Sequence, residues 1–465
     1  MFATIGLLAL SCVVSVSFDG ALCHGAQIYN GSSIEKTKSG VSVLFIDPAR
    51  SDGVLMMLCI SAGSCDEVGR DGVANLLSKI FLKKLNQNSE TANSICECSS
   101  YVGFDQSVFY LYGKPDDLEK IIKNFGIVYS NLEFDQNDIS ECKQKVGQTF
   151  TAESQIDRSV VSRESAKCMY WHSKRGAIIT GNTEDIAAIS ESELQQFVNK
   201  FYKNNRATLV VVGNVDKKVT LELVDKYFIK KDIGEDKVER LQEPTHHGST
   251  TKIVKYSDQI SVPMIEMYWE IPNYRNDRDK ALAVEIFINA LDNILQKSLI
   301  DEQKIVASME FAYSLWDYSS GVFRVTLTAK DGSAVDKLMT SVLAEMQLIV
   351  HEGIMQEQAN TAIEQMRKVA SFVGKDVTDV ASSISKKISS GNDFEFIKKY
   401  ADFVKKGCEL QKINLHAREV FGNGPMVISV IYPKGVNAKP NIGTAYKAGQ
   451  IDSSKDIAQE QKSPS

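Results

Sequence analysis

The stretch that decides the fold runs from residue 39 to residue 81 and reads SGVSVLFIDPARSDGVLMMLCISAGSCDEVGRDGVANLLSKIF. Its two apolar runs, residues 40–46 and 53–61, are bounded by turn residues, which predicts two strands. Residues 72–81 carry apolar side chains at helical spacing, within an arc of about 140°. The stretch therefore predicts two strands, a turn and an amphipathic helix, in that order.

The polar face of this helix carries Asn75, Ser78 and Lys79 at the spacing i, i+3, i+4. A helix presents metal ligands to one point with this spacing, because residues three and four apart lie on the same face. A polar face turned toward solvent is the simpler interpretation. The alternative is a metal-binding site in which the ligand residues have been replaced. The spacing alone does not distinguish these two interpretations.

Composition and charge indicate a multidomain globular protein and argue against some other classes. The chain has 465 residues, too many for one hydrophobic core, so two or more domains are expected. Its net charge of −6 and scattered basic residues argue against a nucleic-acid-binding surface. The nine cysteines show no repeated spacing, which favours mostly buried free thiols over a disulfide framework.

The N-terminal residues 1–25 are apolar and predict a signal peptide, with an uncleaved N-terminal anchor as the alternative. No later stretch is long and apolar enough to span a bilayer. The protein is therefore expected to be exported to a periplasm or secreted, or held at a membrane by the N-terminal segment.

The rest of the chain divides into two halves of similar length and layout. Residues 30–230 and 253–438 each begin with strands, continue through amphipathic helices and end in a strand. Residues 231–252 have linker composition, and residues 439–465 predict a disordered tail. The elements predicted within the halves are strands at 107–113, 207–216, 264–271 and 321–329, and helices at 116–132, 190–202 and 333–353. The pattern predicts two α+β domains.

Two blocks of sequence resemble the insulinase (pitrilysin-type) zinc metallopeptidase family. In the first block, Gly63-Ser64 and Glu67 precede Gly72-Val73-Ala74, in the order in which the family places a turn, a glutamate and its Gly-x-Ala-His-x-x-Glu-His helix. The second block is residues 178–216. The resemblance implies a member like the mitochondrial processing peptidases. Its two homologous domains, each a mostly antiparallel sheet packed with helices, would form one half of a clam shell.

The family's zinc-binding residues are absent at the matching positions. The family has His, Glu and His where this chain has Asn75, Ser78 and Lys79, and a ligand Glu near the position of Thr149. Asn is a weak ligand, Ser is no base at neutral pH, and an ammonium about 4 Å from a dication would cost about 8 kcal/mol at an effective dielectric of 20. Zinc is the family's cofactor, but we expect no cofactor and no catalytic residue here.

The family's substrate-binding pair is also replaced. The resemblance places an Arg and a Tyr at positions that hold Ile300 and Ala307 in this chain. An aliphatic side chain cannot make the charge-assisted hydrogen bond that Arg makes. Tyr313 and Arg324 are nearby candidates for a substitute pair.

These features predict a non-catalytic member of a metalloendopeptidase family. Its expected role is the partner or structural subunit of an active, His-x-x-Glu-His-bearing homologue, in a heterodimer. One alternative is an active zinc endopeptidase with displaced ligands, although none of the six histidines has His-x-x-x-His spacing. The other is a stand-alone structural or peptide-binding subunit, such as a homodimer.

Overall fold

The computed structural model describes residues 32–46, 53–87, 95–171, 173–229, 250–330, 335–371, 377–422 and 424–435. Three predictions therefore lie outside the described residues: the N-terminal segment 1–25, most of the linker 231–252, and the tail 439–465. Within the described ranges, no helix combines the length and the apolar character needed to cross a membrane.

The first half of the chain builds a six-stranded sheet, here called the first sheet. Its strands run in the order β1-β2-β6-β3-β5-β4, with only β2 and β6 parallel. They span β1 Ser33–Lys36, β2 Ser42–Ile46, β3 Val54–Ile60, β4 Ile95–Val102, β5 Ser107–Gly113 and β6 Ala207–Val212. The helices are α1 Val73–Gln87, α2 Leu118–Ser130, α3 Gln136–Ser154, α4 Asp157–Met169, α5 Thr183–Ala188, α6 Glu191–Phe201 and α7 Lys217–Tyr227.

The second half repeats this arrangement in a five-stranded sheet, here called the second sheet. Its order is β7-β11-β8-β10-β9, again with one parallel pair, formed by the first and last strands. The strands are β7 Thr251–Ser257, β8 Met264–Ile271, β9 Val306–Ser314, β10 Gly321–Ala329 and β11 Met426–Pro433. The helices are α8 Arg278–Leu295, α9 Val335–Glu352, α10 Gln356–Ser371, α11 Val377–Ser389, α12 Phe394–Lys406 and α13 Leu410–Ala417.

Local sequence signals account for several element boundaries. The predicted strands 264–271 and 321–329 are confirmed residue for residue as β8 and β10. A capping box begins α6, because Ser190 and Glu193 accept each other's backbone N–H groups. Helix α9 ends at Glu352, and Gly353 follows with a φ of 86°, a conformation that favours glycine.

Each sheet has two covered faces. On its inner face each sheet packs against the helices of its own half, in two separate apolar cores. On its outer face each sheet is partly covered by a helix from the other half. Helix α4 lies on β7, β11 and β8, and α11 lies on β6 and β3. This exchange of helices joins the two halves, and the sequence did not predict it.

Candidate functional site

The start of α1 is fixed by a buried carboxylate. Glu67 is 3% exposed and accepts hydrogen bonds from the backbone N–H groups of Gly72 (2.9 Å) and Ala74 (2.8 Å). These amides lie at a helix N-terminus, where they have no partner within the helix. Burial raises the pKa of Glu67 to about 8, although the two backbone donors oppose the shift. Glu67 therefore positions the helix that carries the motif.

The loop before α5 closes over the same helix end. The Asp71 carboxylate accepts a hydrogen bond from the backbone N–H of Ile178 at 3.0 Å. Gly72 and Gly181 approach so closely that a Cβ on Gly72 would lie 2.7 Å from the Cα of Gly181. Both glycines have positive φ, 92° and 73°. The two sequence blocks that carry the family resemblance are therefore in direct contact.

The three motif positions of α1 point into a closed environment. Asn75 is 8% exposed and donates to the carbonyl of Thr180 at 3.3 Å. Ser78 is fully buried and donates to the carbonyl of Asn75, within its own helix, at 2.8 Å. The interpretation of a solvent-facing polar surface is therefore wrong for these two residues. Their polar groups are used for internal hydrogen bonds.

Lys79 is partly buried, whereas Asn75 and Ser78 are buried. Among the described residues it forms no ion pair, and burial lowers the pKa of its ammonium. Its neighbour on α3 is the buried Cys142. At this position the protein thus presents a poorly solvated amine.

Helix α3 runs beside α1 and carries Thr149, where the resemblance predicts the position of the family's third ligand. Its buried residues Asp138, Cys142 and Val146 repeat every four positions, which is one helical face. Asp138 pairs with Lys83 of α1 at 3.0 Å. Thr149 is exposed, and its hydroxyl donates to the carbonyl of Lys145 at 3.1 Å. Thr149 therefore offers a hydroxyl, not a carboxylate, at this predicted position.

This set of side chains does not fit zinc. A zinc site needs thiolate, imidazole or carboxylate donors, and the matching positions offer an amide, two hydroxyls and an amine. In the described part of the chain, no three His, Cys, Asp or Glu residues are grouped so that they could hold a metal ion. Of the six histidines, His24, His172, His246 and His247 lie outside the described residues.

The two positions in the second half where the resemblance predicts a substrate-binding Arg and Tyr hold aliphatic side chains. Ile300 lies in a wide helical turn, residues 296–302, and packs against the second apolar core. Ala307 is exposed at the beginning of the edge strand β9. Neither side chain has a polar group that could bind a peptide.

The proposed substitutes, Tyr313 and Arg324, do not meet. Tyr313 faces the inner core, where its hydroxyl accepts a hydrogen bond from Asn289 at 3.1 Å. Arg324 pairs across the sheet with Ala312, the neighbour of Tyr313 on β9, so its side chain points to the opposite face. The two cannot act as one pair.

Tyr313 instead belongs to a buried polar cluster around Glu285 of α8. The Glu285 carboxylate accepts hydrogen bonds from the hydroxyls of Tyr274 and Tyr400, the latter at 2.6 Å. Burial raises the pKa of Glu285, and the hydroxyls oppose that shift. Sequence reasoning missed this cluster. Its only signal was a glutamate among the apolar residues of an otherwise buried helix.

Comparisons with known proteins agree with this fold. A model of the family described as "Peptidase M16 inactive domain" matches residues 188–366. The zinc protease PqqE of Helicobacter pylori is 20% identical over 77% of this chain and 83% of its own length. The mitochondrial-processing peptidase subunit beta of Blastocladiella emersonii is 22% identical over 53% of each chain.

Solved structures show the same architecture at low identity. The periplasmic protease PqqL from Escherichia coli gives a TM-score of 0.74 at 15% identity, covering 89% of this chain and 49% of PqqL. A chain of complex III2 from Candida albicans gives 0.72 at 15% identity, covering 87% of this chain and 96% of that chain. The family model over residues 188–366 and the sequence relatives support membership of this chain in the insulinase (pitrilysin-type, M16) peptidase family, and the solved structures show that it has the same fold.

Proposed function

We propose that this protein is a non-catalytic member of the M16 family that serves as the partner or structural subunit of an active family protease. The observation that carries the proposal is the chemistry of α1. The side chains of Asn75 and Ser78 each donate a hydrogen bond to a backbone carbonyl within the protein. Lys79 places an amine at the position where the family has a zinc-binding His. None of the three can activate a water molecule through zinc.

The comparisons support a role in an assembly. One similar structure is a chain of complex III2, a multi-subunit assembly, and a sequence relative is the beta subunit of a processing peptidase. Each half of a clam shell has a large inner surface, which makes pairing with a second half plausible. An active homologue with an intact His-x-x-Glu-His helix is the proposed partner.

Co-purification from the native source tests this proposal. The tagged protein, captured after mild crosslinking, is expected to bring down an M16 homologue with an intact zinc motif in an equal amount. Recovery of a homodimer without such a homologue would contradict the partner role and would favour the stand-alone structural subunit. One zinc per chain, lost on chelation together with peptidase activity, would instead establish the displaced-ligand protease.

We also propose that the protein acts outside the cytoplasm and that residues 1–25 direct its export. The apolar character of that segment and the similarity to the periplasmic PqqL support this location. Cell fractionation, with mass spectrometry of the mature N-terminus, distinguishes a cleaved signal from an anchor. Recovery of the uncleaved chain in the cytoplasmic fraction would contradict export.

We propose in addition that the chain is divided into domains at residues 30–230 and 253–438, with a linker at 231–252. Limited proteolysis, which cuts preferentially in exposed linkers, can test these boundaries.

A further inference from the structure

A partly exposed thiol lies beside the contact between the two halves of the chain. Cys65 is in a short helical turn, residues 64–66, two residues before Glu67. Its backbone N–H donates to the carbonyl of Phe104 at 3.0 Å. The ring of Phe104 in turn lies 5.4 Å from the guanidinium carbon of Arg175. Cys65 is therefore connected through one residue to a buried cation.

The buried cation acts electrostatically on this thiol. Arg175 is 2% exposed and pairs with Asp317 of the second half at 3.0 Å. Burial alone would lower the pKa of its guanidinium, but neighbouring groups, with the Cys65 sulfur among them, raise it. This attraction is mutual, so the guanidinium favours the thiolate form of Cys65, which is the nucleophilic form of a cysteine.

The two carboxyl groups that follow Cys65 along the chain are bound to backbone amides. Asp66 accepts a hydrogen bond from the N–H of Gly63 at 2.9 Å. Glu67 accepts from the two amides at the start of α1, and burial raises its pKa to about 8. Glu67 therefore carries little negative charge near the thiol at neutral pH.

Two buried donors in this cluster lack an acceptor. The ring of Tyr170 lies 4.9 Å from the guanidinium carbon of Arg175, and its hydroxyl, on a residue 5% exposed, has no hydrogen-bond partner in the part of the chain that the structure describes. The Nε of Arg175 is also buried without a partner, while its terminal nitrogens bind Asp317 and Ser320. Both residues interact electrostatically with Cys65. An oxygen atom carried by the Cys65 sulfur would supply the missing acceptor.

The other partly exposed thiols of the described residues have different surroundings. These thiols are Cys98, Cys168 and Cys408. Burial raises the pKa of all three, and the carboxylates of Glu97 and Glu164 raise those of Cys98 and Cys168 further. All three favour the unreactive thiol form at neutral pH, so they serve as internal controls for Cys65.

We propose that Cys65 is a site of oxidation by hydroperoxides, and that Arg175 and Tyr170 are positioning residues that bind the oxygen of the resulting sulfenic acid. The sulfur attacks one peroxide oxygen, an S–O bond forms and the O–O bond breaks. One thiol and one hydrogen peroxide thus give one sulfenic acid and one water, and the two electrons lost by sulfur reduce the peroxide. The site uses no motif position of α1 and does not depend on the partner role argued above.

Site-resolved labelling of the full-length protein tests the proposal. The reduced protein is treated with hydrogen peroxide at pH 7 in the presence of dimedone, which traps sulfenic acids, and each labelled cysteine is quantified by peptide mass spectrometry. Cys65 is expected to be labelled about tenfold faster than Cys98 and Cys168. Equal rates for the three thiols would overturn the proposal, and this comparison needs no variant.

Two variants separate the effect of the cation from that of the junction between the halves. Arg175→Gln removes the cation and is expected to slow the labelling of Cys65 about threefold, because the loss of thiolate is partly offset by a higher intrinsic nucleophilicity. Asp317→Asn breaks the same ion pair but keeps the cation, and should leave labelling at least as fast as in the wild type. An equal slowing in both variants would show that loosening of the halves controls Cys65, which overturns the role assigned to Arg175.

Tyr170→Phe removes only the unpartnered hydroxyl and tests the second positioning residue. Dimedone added at increasing times after removal of the peroxide measures how long the sulfenic acid lasts. This lifetime is expected to be about fivefold shorter in the variant, the effect of one lost hydrogen bond. The melting temperature of the reduced variant should not fall, because the hydroxyl has no partner to lose. An unchanged lifetime would overturn the role of Tyr170.

Discussion

Single residues at the start of α1 set both the position and the chemistry of the motif. Glu67 binds the first backbone amides of the helix, and Asn75 ties the next turn to the loop at Thr180. These contacts fix the start of α1 relative to the loop before α5. The side chains at the matching positions are an amide, a hydroxyl and an amine, which is why we propose a non-catalytic role.

Restoring the family motif at three residues is not expected to restore activity. In the combined Asn75→His, Ser78→Glu, Lys79→His variant, the position of the third ligand is still Thr149, and Ile300 and Ala307 still replace the Arg/Tyr pair. The new glutamate would also replace a fully buried serine, at a desolvation cost. Zinc content and hydrolysis of a quenched fluorescent peptide measure the outcome. Turnover that a chelator abolishes would contradict this prediction.

Glu67 is expected to make stability pH-dependent. Its pKa is raised to about 8 in the folded protein, so the folded state binds a proton more tightly than the unfolded chain does. Its contribution is fully present below the unfolded pKa of about 4.3 and is lost as pH rises through about 8. In Glu67→Gln, the fall in the free energy of unfolding between these pH values should be smaller, as urea titrations would measure. The exposed Glu222→Gln is the control and should leave that pH dependence as it is in the wild type.

At the scale of elements, the contact between α1 and the loop before α5 depends on two glycines. A methyl group on Gly181 would lie 2.7 Å from the Asp71 carbonyl oxygen and from the Ile186 side chain. A φ of 73° adds backbone strain for any residue with a Cβ. The close approach of the two sequence blocks that resemble the family therefore depends on the absence of a Cβ at Gly72 and Gly181.

Substituting Gly181 tests this contact. Gly181→Ala is expected to lower the free energy of unfolding by about 1–3 kcal/mol through strain and overlap. Gly147→Ala, inside α3 where a Cβ has open space, is the matched control and should stabilise by about 0.5–1 kcal/mol. Equal effects of the two substitutions, measured by chemical denaturation, would show that the contact is not tight.

At the scale of the whole molecule, a buried ion pair joins the two halves. Arg175 of the first half pairs with Asp317 of the second at 3.0 Å, and Lys386 of α11 reaches the same carboxylate at 3.2 Å. Burial alone would raise the pKa of Asp317, but Lys386 and Arg175 lower it to about 2. The stability from this carboxylate is present above the unfolded pKa of about 3.9 and is lost as pH falls through about 2.

Removing Arg175 should loosen the junction of the halves. Arg175→Ala removes one of the two cations that pair with Asp317 and is expected to cost about 3 kcal/mol, with acid unfolding starting at a higher pH. Arg367→Ala, which breaks an i,i+3 pair on the surface of α10, should cost about 0.5 kcal/mol or less. Urea unfolding at neutral pH and an acid titration followed by circular dichroism measure both effects. Similar losses in the two variants would argue against a structural role for the junction.

The sequence by itself determined where several strands and helices begin and end, and which residues stand at the positions that match the family motif. Strands β8 and β10, the capped start of α6 and the end of α9 depend on neighbouring residues, so alternation, capping and glycine placement suffice to predict them. The identity of the motif residues is likewise a property of the sequence. These features are local, and the rest of the chain does not alter them.

Only the tertiary structure decided which faces are buried and which residues meet. Polar residues on an amphipathic helix predict a solvent face, yet α3 and the loop at Thr180 enclose Asn75 and Ser78. Tyr313 and Arg324 are close along the chain and on adjacent strands, but the pleat of the sheet sends them to opposite faces. The exchange of α4 and α11 brings residues far apart in sequence into contact, and local periodicity carries no information about such pairing.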